Sequence, residues 1–174
     1  MEGADLLVQA GKIVAVGTDL NAPRGAIEID ATGKHVTPGL IDPHIHSGVS
    51  AINESGFAIV PEVQMADVVT HNNIWMYRQL AGGLTTAHIK HGSANPIGGE
   101  NVFVKLRWGS LPEDLMLEDA PRTVKFALGE NPKRRQGRYP DTRMGTQEII
   151  RDHFLAARDY EREWERWDSS QEGI

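Results

Sequence analysis

The chain of 174 residues carries 18 basic and 24 acidic residues, a net charge of −6, which argues against nucleic acid or an anionic membrane as the main partner. Apolar residues make up 40% of the chain, enough for a globular core. With no cysteine, disulfides and thiolate ligands are excluded, so a metal would have to bind His, Asp, Glu or a modified Lys. The composition, with no signal or membrane-spanning segment, fits the cytoplasm, although a truncated N-terminus could have removed a signal.

The first thirty residues have the pattern of a small antiparallel sheet. A hairpin is predicted at residues 5–16, with its turn at 10–12, because two short apolar runs flank an Ala-Gly-Lys turn. A third strand is predicted at residues 26–30, where apolar and acidic residues alternate. A generic hairpin with no special role is the plain alternative.

The next segment, residues 38–46, reads Pro-Gly-Leu-Ile-Asp-Pro-His-Ile-His, a turn followed by a short apolar strand that ends in two histidines. Side chains at positions i and i+2 of a strand leave from the same face, so His44 and His46 can converge on one point. Neutral imidazole is the commonest metal ligand, and the pair therefore predicts a divalent metal site.

Helix and strand patterns follow one another downstream. They predict a helix at 65–81, strands at 84–89 and 102–108, a short helix at 110–117, a strand at 123–130 and a long helix at 146–167. The loop at 90–101 carries His91 and Asn95, which are candidates for contacts with a substrate, with a plain turn as the alternative. A basic run at 133–143 is interpreted either as a loop that holds an anionic substrate group or as a solvated loop.

Residues 33–46, with the sequence GKHVTPGLIDPHIH, resemble the entry to the first barrel strand of the metal-dependent amidohydrolase superfamily, especially its imidazolonepropionase-like branch. The resemblance implies an α/β fold, with part of a small β-sandwich at 1–37 and the first strands and helices of a (β/α)8 TIM-type barrel at 38–174. A complete barrel typically needs about 250 residues, so the chain is expected to be an N-terminal fragment. Its expected partners are a small-molecule substrate and either the remainder of the barrel or another copy of the chain, with a homo-oligomer when intact.

The resemblance also implies a site at the C-terminal mouth of the barrel, where paired histidines bind one or two divalent ions, Zn²⁺ being the first expectation. Glu130 is favoured as a further ligand because it ends the predicted strand at 123–130. Lys125, as a carbamate bridging two metals, is the alternative, and either residue could instead belong to the plain protein surface. The general base is expected beyond Ile174, so this chain alone is predicted to be inactive.

The function that the resemblance implies is hydrolysis of a non-peptide C–N bond, in an amide, lactam, cyclic amide or dipeptide-like substrate, by a metal-activated hydroxide. A heterocycle deaminase of the same superfamily is one alternative. A non-catalytic, metal-free α/β interaction module is another, with the helix that carries Trp164 and Trp167 as its docking face.

Overall fold

The chain forms a mixed α/β fold in the computed structural model, which describes residues 2–133 and 137–171. The chain has two compact units, one ending at Pro38 and the other beginning at Gly39. No helix within the described ranges combines the length and the apolar character needed to cross a bilayer. The assignment of either unit to a sandwich or a barrel stays a prediction.

The first unit contains an antiparallel hairpin of β1 (Asp5–Gln9) and β2 (Lys12–Gly17). Ala10 and Gly11 turn the chain with φ of 49° and 74°, in the left-handed region that glycine adopts without strain, so the predicted hairpin is confirmed. The predicted strand at 26–30 is wrong. Its apolar face is open to solvent, because Ile27 is 90% and Ile29 is 85% exposed and no described strand pairs with the segment.

The described residues of the second unit form five strands, which are β3 (Leu40–Ile45), β4 (Leu84–Ile89), β5 (Ile97–Glu100), β6 (Val102–Lys105) and β7 (Val124–Phe126). In one sheet β4 lies between β3, to which it is parallel, and β6, to which it is antiparallel. The other sheet pairs β5 with β7 in antiparallel orientation. The strand predicted at 123–130 therefore has only three residues, and its last four positions lie beyond it.

The helices of the second unit are α1 (Ile74–Ala81), α2 (Pro112–Leu115) and α3 (Arg143–Gln171), and a 3₁₀ turn spans Met65–Val68. The predicted helix at 65–81 is thus two pieces. Asn73 begins α1 as its N-cap by accepting a hydrogen bond from the Trp75 N–H at 3.0 Å, while Val69 is extended and pairs with Val49. The pairing of Val69 with Val49 and the N-cap at Asn73 interrupt an apolar pattern that looks continuous in the sequence.

The core of the second unit is built from the three-stranded sheet, the 3₁₀ turn, α1 and α2. Its buried residues are Ile45, Met65, Val69, Met76, Ala87, Ile89, Val104, Leu106 and Leu115. Ile45 points into this core, so the residues on either side of it in the sequence face away from it. The packing of one isoleucine thereby directs both neighbouring histidines to the opposite face.

Candidate functional site

The end of β3 brings His44 and His46 together. Their Nε2 atoms lie 3.2 Å apart, and the rings meet edge to face with centroids 5.0 Å apart. Two nitrogen ligands on one tetrahedral zinc ion, each about 2.0–2.1 Å from it, would lie roughly 3.3 Å apart. The spacing of the two imidazoles therefore fits a shared metal ion.

The backbone of the neighbouring strand orients the His46 ring. Lys90 directly follows β4, and its N–H donates to the Ile45 carbonyl at 3.1 Å, which continues the pairing of the two chain segments. The Lys90 carbonyl in turn accepts a hydrogen bond from Nδ1 of His46 at 2.8 Å. Because Nδ1 carries the hydrogen, the Nε2 lone pair of His46 points toward His44. Metal-binding histidines commonly have such a carbonyl partner.

Lys125 reaches the same point from β7. Its Nζ lies 3.3 Å from Nε2 of His44, although the two residues are 81 positions apart in the sequence. Burial, and then the charge of Lys90, lower the pKa of the Lys125 amine. The structure therefore brings the alternative ligand, Lys125, to the histidine pair and favours its neutral form.

The electrostatic environment also keeps His44 neutral. Burial is the largest cause that lowers its pKa, followed by the charges of Lys125, His46 and Lys90, while Asp42 acts in the opposite direction. A neutral imidazole and a neutral amine are the forms that donate an electron pair to a cation. Two imidazole lone pairs that face each other repel unless a hydrogen or a cation lies between them, so this set of donors fits a bound metal ion.

Glu130, the favoured ligand in the sequence prediction, lies elsewhere. Because β7 ends at Phe126, Glu130 is four residues past the strand. Its carboxylate accepts a hydrogen bond from Nε of Arg143 at 2.7 Å, forms an ion pair with Lys133 and is 58% exposed. Hydrogen bonds from Lys133 and Arg143 lower the pKa of this carboxyl. Glu130 is not among the residues that the structure brings to the histidine pair.

The two proposed substrate contacts, His91 and Asn95, are buried, with exposures of 1% and 0%. Nε2 of His91 accepts a hydrogen bond from the Glu54 N–H at 2.9 Å, and its Nδ1 donates to the Gly92 carbonyl at 3.0 Å. The Asn95 amide donates to the carbonyls of Glu54 and Phe57, both at 2.7 Å. These residues therefore hold the loop that follows the histidine pair and do not face open space.

The basic run contributes a similar clamp. The Arg138 guanidinium donates to the carbonyls of Ser55 and Phe57 at 2.7 Å and to that of Ala94 at 2.6 Å. Arg134 and Arg135 lie outside the described residues. Arg138 thus holds three backbone carbonyls together. The interpretation of the basic run as an anion-binding loop stays a prediction.

Sequence reasoning missed the residues that connect the histidine pair with Lys125. His88 of β4 is 7% exposed, and its Nε2 lies 2.9 Å from Oγ1 of Thr123. The signal was present in the alternation of β4, because Ala87 and Ile89 face the core and His88 must face the other side. Within the described ranges, no three His, Cys, Asp or Glu side chains form a metal-binding group. Lys125 is the side chain whose nitrogen lies 3.3 Å from the pair, at Nε2 of His44.

The mixed α/β fold and the converging imidazole pair can be compared with those of known proteins. No family model matches the chain. The chain is 34% identical over 187 residues to amidohydrolase tasK of Hapsidospora irregularis, covering 94% of this chain and 19% of that protein. It is 44% identical over 66 residues to an imidazolonepropionase of Geobacillus sp. (strain WCH70), covering 34% of this chain and 16% of that protein.

A solved structure is similar over most of the chain. The crystal structure of an amidohydrolase from Thermotoga maritima MSB8 is 36% identical, with a TM-score of 0.83, over 92% of this chain and 44% of that one. These relatives and the solved structure support the amidohydrolase superfamily for this chain, as the resemblance at residues 33–46 predicted. Its matches span 19% of the tasK amidohydrolase and 16% of the imidazolonepropionase, less than a fifth of the length of either relative.

Proposed function

We propose that this chain supplies the first metal-binding residues of a hydrolase that cleaves a non-peptide C–N bond, in an amide, lactam, cyclic amide or dipeptide-like substrate. The reaction type comes from the names of its relatives, amidohydrolase and imidazolonepropionase. The single observation that carries the proposal is the position of Nε2 of His44, which lies 3.2 Å from Nε2 of His46 and 3.3 Å from Nζ of Lys125.

His44, His46 and Lys125 are the residues that would hold the metal, with one or two zinc ions as the first choice. A divalent ion held there would supply Lewis-acid chemistry, by polarising a substrate oxygen and lowering the pKa of a coordinated water to near 7. Glu130 is replaced by Lys125 in this proposal because its carboxylate is engaged by Lys133 and Arg143. The geometry thus favours the alternative ligand over the one that the sequence favoured.

Lys125 can serve as a ligand in two forms. As a neutral amine it donates its own electron pair. The same electron pair can instead attack the carbon of CO₂, which forms an N–C bond, breaks one C=O π bond and releases one proton to give a carbamate. The two carbamate oxygens can bridge two metal ions, and the lowered pKa of Lys125 supports this reaction because only the neutral amine is nucleophilic.

Residues 1–37 are proposed to form part of a β-sandwich, and residues 38–174 the first strands and helices of a (β/α)8 barrel. The parallel pairing of β3 and β4 on either side of α1 supports the barrel, because this is the βαβ unit from which such barrels are built. The antiparallel pairing of β6 with β4 departs from an all-parallel barrel. In a barrel of this type the histidine pair would lie at the C-terminal end of the strands, where catalytic groups occur.

Metal binding tests the proposal. The purified chain is expected to bind zinc stoichiometrically, and the double variant His44→Ala/His46→Ala is expected to lose that zinc, whereas His71→Asn, a change at an exposed histidine outside the site, keeps it. Zinc content is measured by elemental analysis after dialysis. Full zinc retention in the double variant would overturn the proposal, and absence of zinc from the unmodified chain would favour the metal-free interaction module.

Hydrolysis assays test the second part of the proposal. With imidazolone, acyl-amino-acid and dipeptide substrates and added zinc, we expect no turnover by the 174-residue chain alone, because it spans less than half of the solved amidohydrolase to which it is similar. A zinc-dependent rate that disappears in the double variant would contradict this expectation. Release of ammonia from a heterocycle would favour the deaminase.

A further inference from the structure

His88 lies between the two chain segments that carry the candidate ligands. It belongs to β4, the central strand of its sheet, and its ring stacks on the ring of Phe103 from β6, with centroids 3.8 Å apart and planes inclined by 12°. Its Nε2 lies 2.9 Å from Oγ1 of Thr123, which directly precedes β7. The ring is therefore held in one orientation by a stacking partner and a hydrogen-bond partner on different chain segments.

The direction of the hydrogen bonds follows from the side chains involved. Nδ2 of Asn101 donates to Oγ1 of Thr123 at 2.9 Å, and an amide NH₂ group can only donate. The hydroxyl hydrogen of Thr123 is then available for Nε2 of His88, which leaves the ring hydrogen on Nδ1. The donors thus run from Asn101 through Thr123 to His88.

The protonation state of His88 agrees with this direction. Burial is the largest cause that lowers the pKa of His88, followed by the charges of Lys90 and His44. A neutral ring has one nitrogen that donates and one that accepts, as the chain of hydrogen bonds requires. Asn101 is fixed in turn, because its Oδ1 accepts the His91 N–H at 2.9 Å and its own N–H donates to the Thr123 carbonyl at 2.9 Å.

His88 and its hydrogen-bond partner are next to the candidate ligands. His88 lies on β4, which pairs with the strand that carries His44, and Thr123 lies two positions before Lys125. In the described residues β3 and β7 belong to different sheets, and no strand pairing joins them. The backbone hydrogen bond from Asn101 to Thr123 holds the start of β7, and the side-chain hydrogen bond between Thr123 and His88 adds a link from that point to β4, the strand beside His44.

We propose that His88, acting through Thr123, is a positioning residue that holds Lys125 at bonding distance from the His44–His46 pair and thereby sets the metal affinity of the site. This inference rests on the proposed function, since the distance matters only if the three nitrogens share a cation. A purely structural His88 would fill space against Phe103, and phenylalanine could replace it. A positioning His88 requires its hydrogen bond as well as its volume.

Variants of the two residues separate these roles. His88→Phe keeps a ring against Phe103 but loses the hydrogen bond. Thr123→Val removes Oγ1 at nearly constant volume, whereas Thr123→Ser keeps the hydroxyl. Zinc affinity of the full chain is measured by competition with a chromogenic chelator, and the absorption spectrum with Co²⁺ reports the ligand geometry. Thermal unfolding without metal shows whether each variant is folded.

We expect His88→Phe and Thr123→Val to bind zinc about 10–100-fold more weakly, with an altered Co²⁺ spectrum, because residues that orient metal ligands typically have effects of this size. Thr123→Ser should have the zinc affinity and the Co²⁺ spectrum of the unmodified chain. If His88→Phe does not fold, the comparison of Thr123→Val with Thr123→Ser decides the question by itself.

The outcomes distinguish this inference from the proposed function. One outcome would overturn the positioning role alone. In it, zinc binding is lost in the His44 and His46 variants but keeps its affinity in folded Thr123→Val and His88→Phe. Zinc that does not bind, or that binds independently of His44 and His46, would overturn both. Equal losses in Thr123→Val and Thr123→Ser would also refute the positioning role, because they would show that the hydroxyl is not what matters.

Discussion

Replacing Gly48 with alanine tests the packing directly behind the histidine pair. Gly48 has a φ of +79°, and a Cβ there would lie 2.8 Å from Cε of Met76 and 3.8 Å from Cδ1 of Ile89. Met76 is 2% exposed and Ile89 is 0% exposed, so both already have close neighbours. Gly83 is a matched control, with a φ of +94° and no described atom within 4 Å of its would-be Cβ.

The expected cost has two parts. An alanine in the left-handed region loses about 1–2 kcal/mol of unfolding free energy, and this applies to Gly48 and Gly83 alike. The contact with Met76 adds an overpacking cost of about 1–3 kcal/mol, toward the low end because a thioether chain can adjust. Gly48→Ala should therefore destabilise by about 2–4 kcal/mol and Gly83→Ala by about 1–2 kcal/mol.

Urea unfolding followed by circular dichroism measures both changes. In the double variant Gly48→Ala/Met76→Leu, which removes the atom at the contact, we expect part of the added loss to be recovered, so that the two changes are non-additive. The Gly83 variant shows no such recovery with Met76→Leu. Equal losses for Gly48→Ala and Gly83→Ala would refute the reasoning, because they would show that the contact with Met76 costs nothing.

Two further predictions concern the ligands and the dependence on pH. Glu130→Gln should leave zinc affinity in the chelator assay unchanged, whereas Lys125→Met should lower it at least about 10-fold; the reverse result would restore Glu130 as the ligand. Burial lowers the pKa of His91 below its ordinary value of 6.5, so the unfolded chain binds a proton at His91 more readily than the folded chain does. The stability that the neutral ring contributes is therefore complete above pH 6.5 and is lost as the pH falls below that value. His91→Gln should therefore show a smaller loss of stability between pH 6.5 and about 5 in urea unfolding, and an unchanged slope would contradict this.

Local patterns predicted the elements well where each element also contributes side chains to the core. The strand predicted at 84–89 has the bounds of β4. Its side chains Ala87 and Ile89, two positions apart, are completely buried in the core. The strand predicted at 26–30 has a comparable alternation but no described strand beside it, and its isoleucines are exposed. Alternation predicts which face a strand would bury, but it does not supply the partner that buries it.

The helix predicted at 65–81 failed for a different reason. Its apolar stripe is real, since Met65 and Met76 both enter the core. Val69, however, pairs with Val49 in extended conformation, and the Asn73 side chain begins a new helix at the next turn. The apolar periodicity of residues 65–81 does not record this break, because the partner of Val69 lies twenty positions away in the sequence.

The sequence by itself determined the histidine pair and the family. The two-residue period of a strand directs His44 and His46 to one side whatever the rest of the fold does, and residues 33–46 were sufficient to indicate the superfamily. Only the tertiary structure decided which residue joins them. Glu130 is drawn to Lys133 and Arg143 beyond the end of a short strand, while Lys125 meets His44 across 81 residues and between two separate sheets. Such a contact depends on long-range packing, which no local pattern of residues records.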